Sequence, residues 1–248
     1  MTTQRSTAVA TVVTGPKTRL GQALIASAPS AGATYAVARG EVDLATLDRS
    51  AATVVDGSAP TPLLDGVEAE AVRLHVCALG PVHTWTLDPD NDAAHVERDL
   101  DVVARLLDEA GDRPTHVVHV SSILALAPGA DRTYYGGWKN LVEGRLAMLV
   151  DAHPRAELTV LYPGRLMAAS ERRRPWHLSH TTYDRLARLM HDVSAGPARS
   201  RIVGLDARAW LLARSLSLTA TTLSGTRGSR RRHGGVDTAE TFGRNGNR

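Results

Sequence analysis

Tyr135 and Lys139 stand four residues apart, so a helix running through them places both on one face. Ser122 lies 13 residues before Tyr135, just past the β-branched run Thr115–Val120. Together these side chains suit proton transfer at a carbonyl or an alcohol. A phenol with its unperturbed pKa of ~10 is a poor base at neutral pH. A nearby ammonium stabilises the phenolate and brings it into range. A serine hydroxyl beside it hydrogen-bonds the reacting oxygen and polarises it. Lysine usage sharpens the reading. Of 29 basic residues, 27 are arginine, and Lys17 and Lys139 are the only lysines. An ordinary surface cation in this chain is written Arg, a bias typical of a GC-rich genome. The alternative, a helix opening on two aromatics with a chance lysine, sits poorly with that scarcity.

A second candidate site is Thr14-Gly15-Pro16-Lys17-Thr18-Arg19-Leu20-Gly21, between a predicted strand and a predicted helix. A tight turn, amide N–H groups and a helix N-terminus there suit a dinucleotide pyrophosphate. Gly15 and Gly21 have the six-residue spacing of the dinucleotide fingerprint. The middle glycine, which lets the backbone approach the pyrophosphate, is absent; Arg19 stands in its place in one spacing and Thr18 in the other. Two readings stay open: Lys17 and Arg19 bind phosphate from the side, or Arg19 blocks the site.

The elements that must position these residues alternate along the chain. Strand patterns cover Ala8–Thr14, Thr34–Ala38, Thr53–Val55, Val72–Ala78, Thr115–Val120, Leu158–Tyr162 and Arg201–Leu205. Helical patterns cover Leu20–Ala28, Asp92–Ala110, Tyr135–Ala152, Thr182–Val193 and Ala207–Leu218. Such alternation predicts an α/β fold: a doubly wound parallel sheet with helices on both faces, in a single domain spanning residues 1–218. Ligands of such sheets bind beyond the carboxyl ends of the strands, where both candidate sites fall.

From Thr219 to Arg248 the chain is rich in Gly, Ser, Thr and Arg, and reads as a disordered tail. Six arginines and two acids give that tail +4, so the chain's net +3 leaves residues 1–218 at −1. The basic balance therefore gives no reason to expect a nucleic-acid partner for the domain. One cysteine, Cys77, excludes an internal disulfide framework and a cysteine-built zinc site. It reads as a small buried apolar residue. His116 and His119 face opposite sides of a strand, and His177 and His180 lack a nearby acid, so no metal is expected. Neither a membrane span nor a signal segment is apparent, and a cytoplasmic location is the expectation.

With these residues in view, the sequence resembles the short-chain dehydrogenase/reductase superfamily over residues 7–217. The resemblance rests on the Ser122–Tyr135 interval, Tyr-x-x-x-Lys, and Pro163-Gly164 after the next strand. It implies that Tyr135 is the acid/base, that Lys139 lowers its pKa and holds the nicotinamide ribose, and that Ser122 positions the substrate oxygen. It further implies cofactor contacts from Gly15, Lys17, Thr18, Arg19, Leu20, Gly21, Ala78, Pro163 and Gly164, with Asp56 near the adenine. Arg39 follows the second strand, where a cation favours the 2′-phosphate of NADP; NAD is the alternative. The implied substrate walls come from His83, Trp85, Leu124, Trp138, Arg165 and Trp176, around a small organic molecule.

Three departures stand out. They are the missing glycine at Arg19, Cys77-Ala78-Leu79-Gly80 in place of Asn-Asn-Ala-Gly, and Asp99 about where many members carry an Asn. An NADP(H)-dependent oxidoreductase is the first functional reading. A non-redox dehydratase, cyclase, isomerase or lyase using Tyr135 and Lys139 is the second. A catalytically silent nucleotide or partner binder is the third. Family habit also implies a homodimer or homotetramer through the helices Asp92–Ala110 and Tyr135–Ala152, with Met148 and Leu149 as apolar interface candidates.

Overall fold

The computed structural model describes residues 9–30, 32–38, 47, 51–77, 79–80, 89–172 and 174–229, the side chains of 218–229 excepted. Arg39, Ala78, His83 and Trp85 lie outside the described residues.

β-branched runs too short for helices form β1 (Val9–Thr14), β2 (Thr34–Ala38), β3 (Thr53–Asp56), β4 (Ala71–Val76), β5 (Thr115–Val120), β6 (Ala156–Pro163) and β9 (Arg201–Val203). They make one seven-stranded sheet in the order β3-β2-β1-β4-β5-β6-β9, parallel throughout. The strand order reverses between β1 and β4, which makes their carboxyl ends the natural ligand crevice. Two short parallel strands, β7 (Leu166–Met167) and β8 (Thr181–Thr182), pair separately beyond β6.

Strand periodicity sorts the core into two layers. Val12, Leu74 and Val117 point to one face and meet Leu100, Val103 and Leu107 of α2 (Pro89–Ala110) and Val142 and Leu146 of α4 (Thr133–Asp151). Their neighbours Val13, Val118 and Leu161 point to the other. There they meet Leu20 and Leu24 of α1 (Arg19–Ala26) and Leu186 and Met190 of α5 (Tyr183–Val193). Covering both faces of a parallel sheet removes its apolar strands from water. A single turn, α3 (Ile123–Leu126), follows β5.

The last helix, α6 (Leu205–Ser229), differs from expectation. It continues well past Leu218, because no proline interrupts residues 205–229, and Gly and Ser there weaken a helix without ending it. The chain divides into two units, Met1–Leu211 and Leu212–Arg248, and the site lies wholly in the first. Among the described residues, no helix is long and apolar enough to cross a membrane.

Candidate active site

β5 delivers Ser122 as the N-cap of α3, its hydroxyl accepting the Leu124 N–H at 3.3 Å. α4 begins at Thr133, which puts Tyr135 in its first turn and Lys139 one turn later. The Ser122 hydroxyl lies against the Tyr135 phenol and favours its ionised form, as does the Arg132 guanidinium. Burial outweighs both and raises the phenol above its ordinary range.

Lys139 is 7% exposed. Its Nζ donates to the Leu79 carbonyl at 2.6 Å and lies 5.8 Å from the Tyr135 ring centroid. Burial lowers its pKa to about 8, against the opposing pull of Glu143 and Asp99. The ammonium is turned to a backbone carbonyl, and burial sets the phenol. Gly80 makes that contact possible: its φ is +130°, and a Cβ there would stand 2.8 Å from the Lys139 Nζ.

Beneath this group lies polar machinery that sequence reasoning missed. Glu143 follows Lys139 by one more turn and accepts hydrogen bonds from the Ser121 hydroxyl and, at 2.8 Å, from the Tyr162 hydroxyl. Its signal was present, since Tyr135, Lys139 and Glu143 share the i, i+4, i+8 stripe of one helix. His119 is wholly buried and is lowered to about 3, first by burial and then by Lys139, against the opposing pull of the Val76 backbone.

The glycine turn is intact. Gly15 has φ +69°. The Thr18 hydroxyl caps α1, donating to the Gly15 carbonyl at 2.8 Å and accepting the Gly21 N–H at 3.0 Å. A Cβ on Gly21 would fall 2.4 Å from the Gly15 oxygen, so only glycine lets the helix start sit against the turn. Arg19 neither blocks the turn nor lies free to bind in it. Its Nη1 is 2.7 Å from Glu171 Oε1, and its guanidinium stands over the Tyr183 ring. Lys17 is exposed, whereas the Leu20 side chain is 4% exposed in the core, leaving only its backbone to the turn. Asp56 ends β3 and accepts from the Ser58 N–H at 2.9 Å and hydroxyl at 2.6 Å, which lowers its pKa.

Between the strand ends, Thr14, Gly15, Val37, Ala38, Val76, Leu79, Asp99 and Val102 line a cavity of about 20 Å³. That volume holds roughly one water. Leu79, 1% exposed, belongs to that lining. The turn, the capped helix and the Tyr–Lys–Ser group fit a dinucleotide's phosphates and reactive end.

The expected substrate walls are divided. Leu124 is half-buried beside Ser122, and Trp176 is 57% exposed with the Arg174 guanidinium over its ring. Trp138 is half-buried, packed against the core cluster that includes Leu100 and Val103, and edge-on to Tyr134. Pro163 is buried, the Arg165 N–H donates to the Asp206 carboxylate at 2.8 Å, and that carboxylate fills the space a Cβ on Gly164 would take. Among the described residues, no cluster of three or more His, Cys, Asp or Glu could hold a metal.

A parallel doubly wound sheet, with a glycine turn at its switch point and Ser122, Tyr135 and Lys139 beyond β5, defines the class of doubly wound α/β folds. Solved structures narrow this further. A short-chain dehydrogenase from Streptomyces avermitilis is similar over 92% of this chain and 98% of its own, at 16% identity and a TM-score of 0.61. A short-chain dehydrogenase from Burkholderia cenocepacia in complex with NADP is similar over 89% and 97%, at 19% identity and a TM-score of 0.60. A 3-ketoacyl-(acyl-carrier-protein) reductase from Brucella melitensis complexed with NADH is similar over 80% and 97%, at 18% identity and a TM-score of 0.58. No protein-family model matches the sequence, and no curated protein matches it. The chain has the fold of the short-chain dehydrogenase/reductases.

Proposed function

We propose that this chain is an enzyme of the short-chain dehydrogenase/reductase superfamily, an NADP(H)-dependent oxidoreductase acting on a carbonyl/alcohol pair of a small molecule. The observation that carries this is the meeting of Ser122 and Tyr135 over buried Lys139, beyond the carboxyl end of β5. The neighbours bound to NADP and NADH support a nicotinamide cofactor, and Arg39 in the sequence supports NADP over NAD. Gly15, Thr18 and Gly21 would hold the phosphates, and Lys139 the ribose. When bound, the nicotinamide supplies or accepts the hydride. The Tyr135 hydroxyl gives the substrate oxygen its proton in reduction and takes it back in oxidation. Ser122 donates a hydrogen bond to the same oxygen and fixes it in reach of Tyr135. Lys139 supplies the positive charge that makes a phenolate tolerable once its ammonium leaves the Leu79 carbonyl. Exposed Leu141 and Met148 on α4 support assembly with further copies.

Leu79 in the cleft favours a second reading, a non-redox enzyme that uses Tyr135 and Lys139 as acid and base. Calorimetric titration with NADPH, followed by NADPH consumption with a panel of ketones and aldehydes, separates the two. Binding with turnover is expected. Binding without turnover shifts the assignment to the second reading, and absence of binding overturns both the cofactor and the oxidoreductase.

A further inference from the structure

We propose that Glu143 is a positioning residue for Lys139: its carboxylate, clamped by the Ser121 and Tyr162 hydroxyls, is the fixed counter-charge of the buried ammonium. This role rests on reading Lys139 as the partner of Tyr135. Lys139 and Glu143 stand one turn apart on α4, within side-chain reach. Both Glu143 oxygens are already held, Oε1 by Ser121 at the end of β5 and Oε2 by Tyr162 of β6. The carboxylate is thus pinned between α4 and two strand ends and cannot swing away into water. The other groups facing Lys139 are Tyr135 on α4, Asp99 on α2, and His119 on β5, which burial keeps neutral. The hydrogen bond shown for the ammonium is to the neutral Leu79 carbonyl. A buried cation with a neutral acceptor is costly, and carboxylates offset that cost. Glu143 also ties the end of β5 at Ser121 to α4, the helix that carries Lys139.

A purely structural Glu143 would do no more than tie α4 to β5 and β6. Glu143→Gln separates the two roles, because the amide oxygen still accepts from one hydroxyl and the amide N–H donates to the other. The chain's two lysines make the readout direct. Protein labelled with 15N-lysine gives two side-chain signals, and a Lys17→Arg variant assigns them. An opposite charge within ~4–6 Å shifts an ionisation by about one to three pH units. The Lys139 titration midpoint is expected to fall by about one pH unit or more from the parent's in Glu143→Gln. It falls less in Glu143→Asp, which keeps the charge but withdraws it by a methylene. An unmoved midpoint in folded Glu143→Gln overturns the proposal; if that variant does not fold, an unmoved midpoint in Glu143→Asp does so. The titration needs neither cofactor nor substrate. Full turnover in Tyr135→Phe would therefore sink the oxidoreductase reading while leaving this measurement to stand or fall alone.

Discussion

Replacing Leu79 by Ala should open the nucleotide cleft, and the size of the effect follows from its burial. The side chain is 1% exposed and leaves about 20 Å³ free between the ends of β1, β2 and β4. Truncating a core leucine to alanine typically removes about 2–5 kcal/mol from the state that buries it. Here we take that state to be the closed one, with Leu79 in the space a nucleotide base would fill. A ligand that needs a rare open state binds weaker by the fraction of protein in that state. Taking the lower figure of about 2 kcal/mol, the closed state loses about 30-fold of its advantage. Apparent NADPH affinity in Leu79→Ala should then rise by about 30-fold if the parent is mostly closed. The assay is calorimetric titration of parent and variant with NADPH in one buffer. The ligand-free variant should also unfold at lower urea than the parent, and saturating NADPH should close much of that gap. Unchanged or weaker NADPH binding in a folded Leu79→Ala would refute the reasoning that Leu79 stands in the nucleotide's place.

Two further outcomes follow. His75 and His119 are buried and neutral, each lowered to about 3, first by burial. The unfolded chain takes up their protons below pH ~6.5, so stability is complete above that value and falls as pH drops toward 3, by about 1.4 kcal/mol per unit for each histidine. Urea midpoints measured from pH 7 to pH 5 should therefore decline steeply, by about 4 kcal/mol for the pair at pH 5, and a flat profile would contradict it. Separately, Glu171→Gln should free the Arg19 guanidinium for phosphate, because their contact is an exposed pair that salt already weakens. NADPH binding should tighten and become more salt-sensitive while the urea midpoint stays put; weaker binding would show that Arg19 does not reach the ligand.

What was legible in the sequence was what rests on local period and spacing. The alternating runs gave the sheet, because a strand's two-residue period and a helix's i, i+4 stripe are written in neighbouring residues. Ser122, Tyr135 and Lys139 meet because a strand end and a helix start are joined by a short connection. Gly15 and Gly21 are legible for a steric reason, as the 2.4 Å approach leaves no room for a side chain. The rest depends on partners far along the chain. Arg19 looked like a phosphate ligand or a block until Glu171, 152 residues away, took its guanidinium. Leu79 is one leucine among many by sequence, and only packing shows that it fills the cleft. Lys139 was expected to serve the phenol, yet its nearest acceptor is a backbone carbonyl 60 residues earlier. Glu143 was visible on the stripe but has meaning only once Ser121 and Tyr162 close on it.

The account stands most directly on the Tyr135 hydroxyl. NADPH consumption by Tyr135→Phe, measured with any carbonyl substrate the parent reduces, tests it. The variant should bind NADPH as the parent does and keep the parent's urea midpoint closely, since it loses one hydroxyl. Its turnover should drop by about 10²–10⁴-fold, the usual contribution of a positioned acid/base. Turnover within a few-fold of the parent, in a folded protein that binds NADPH, would contradict Tyr135 as the proton donor.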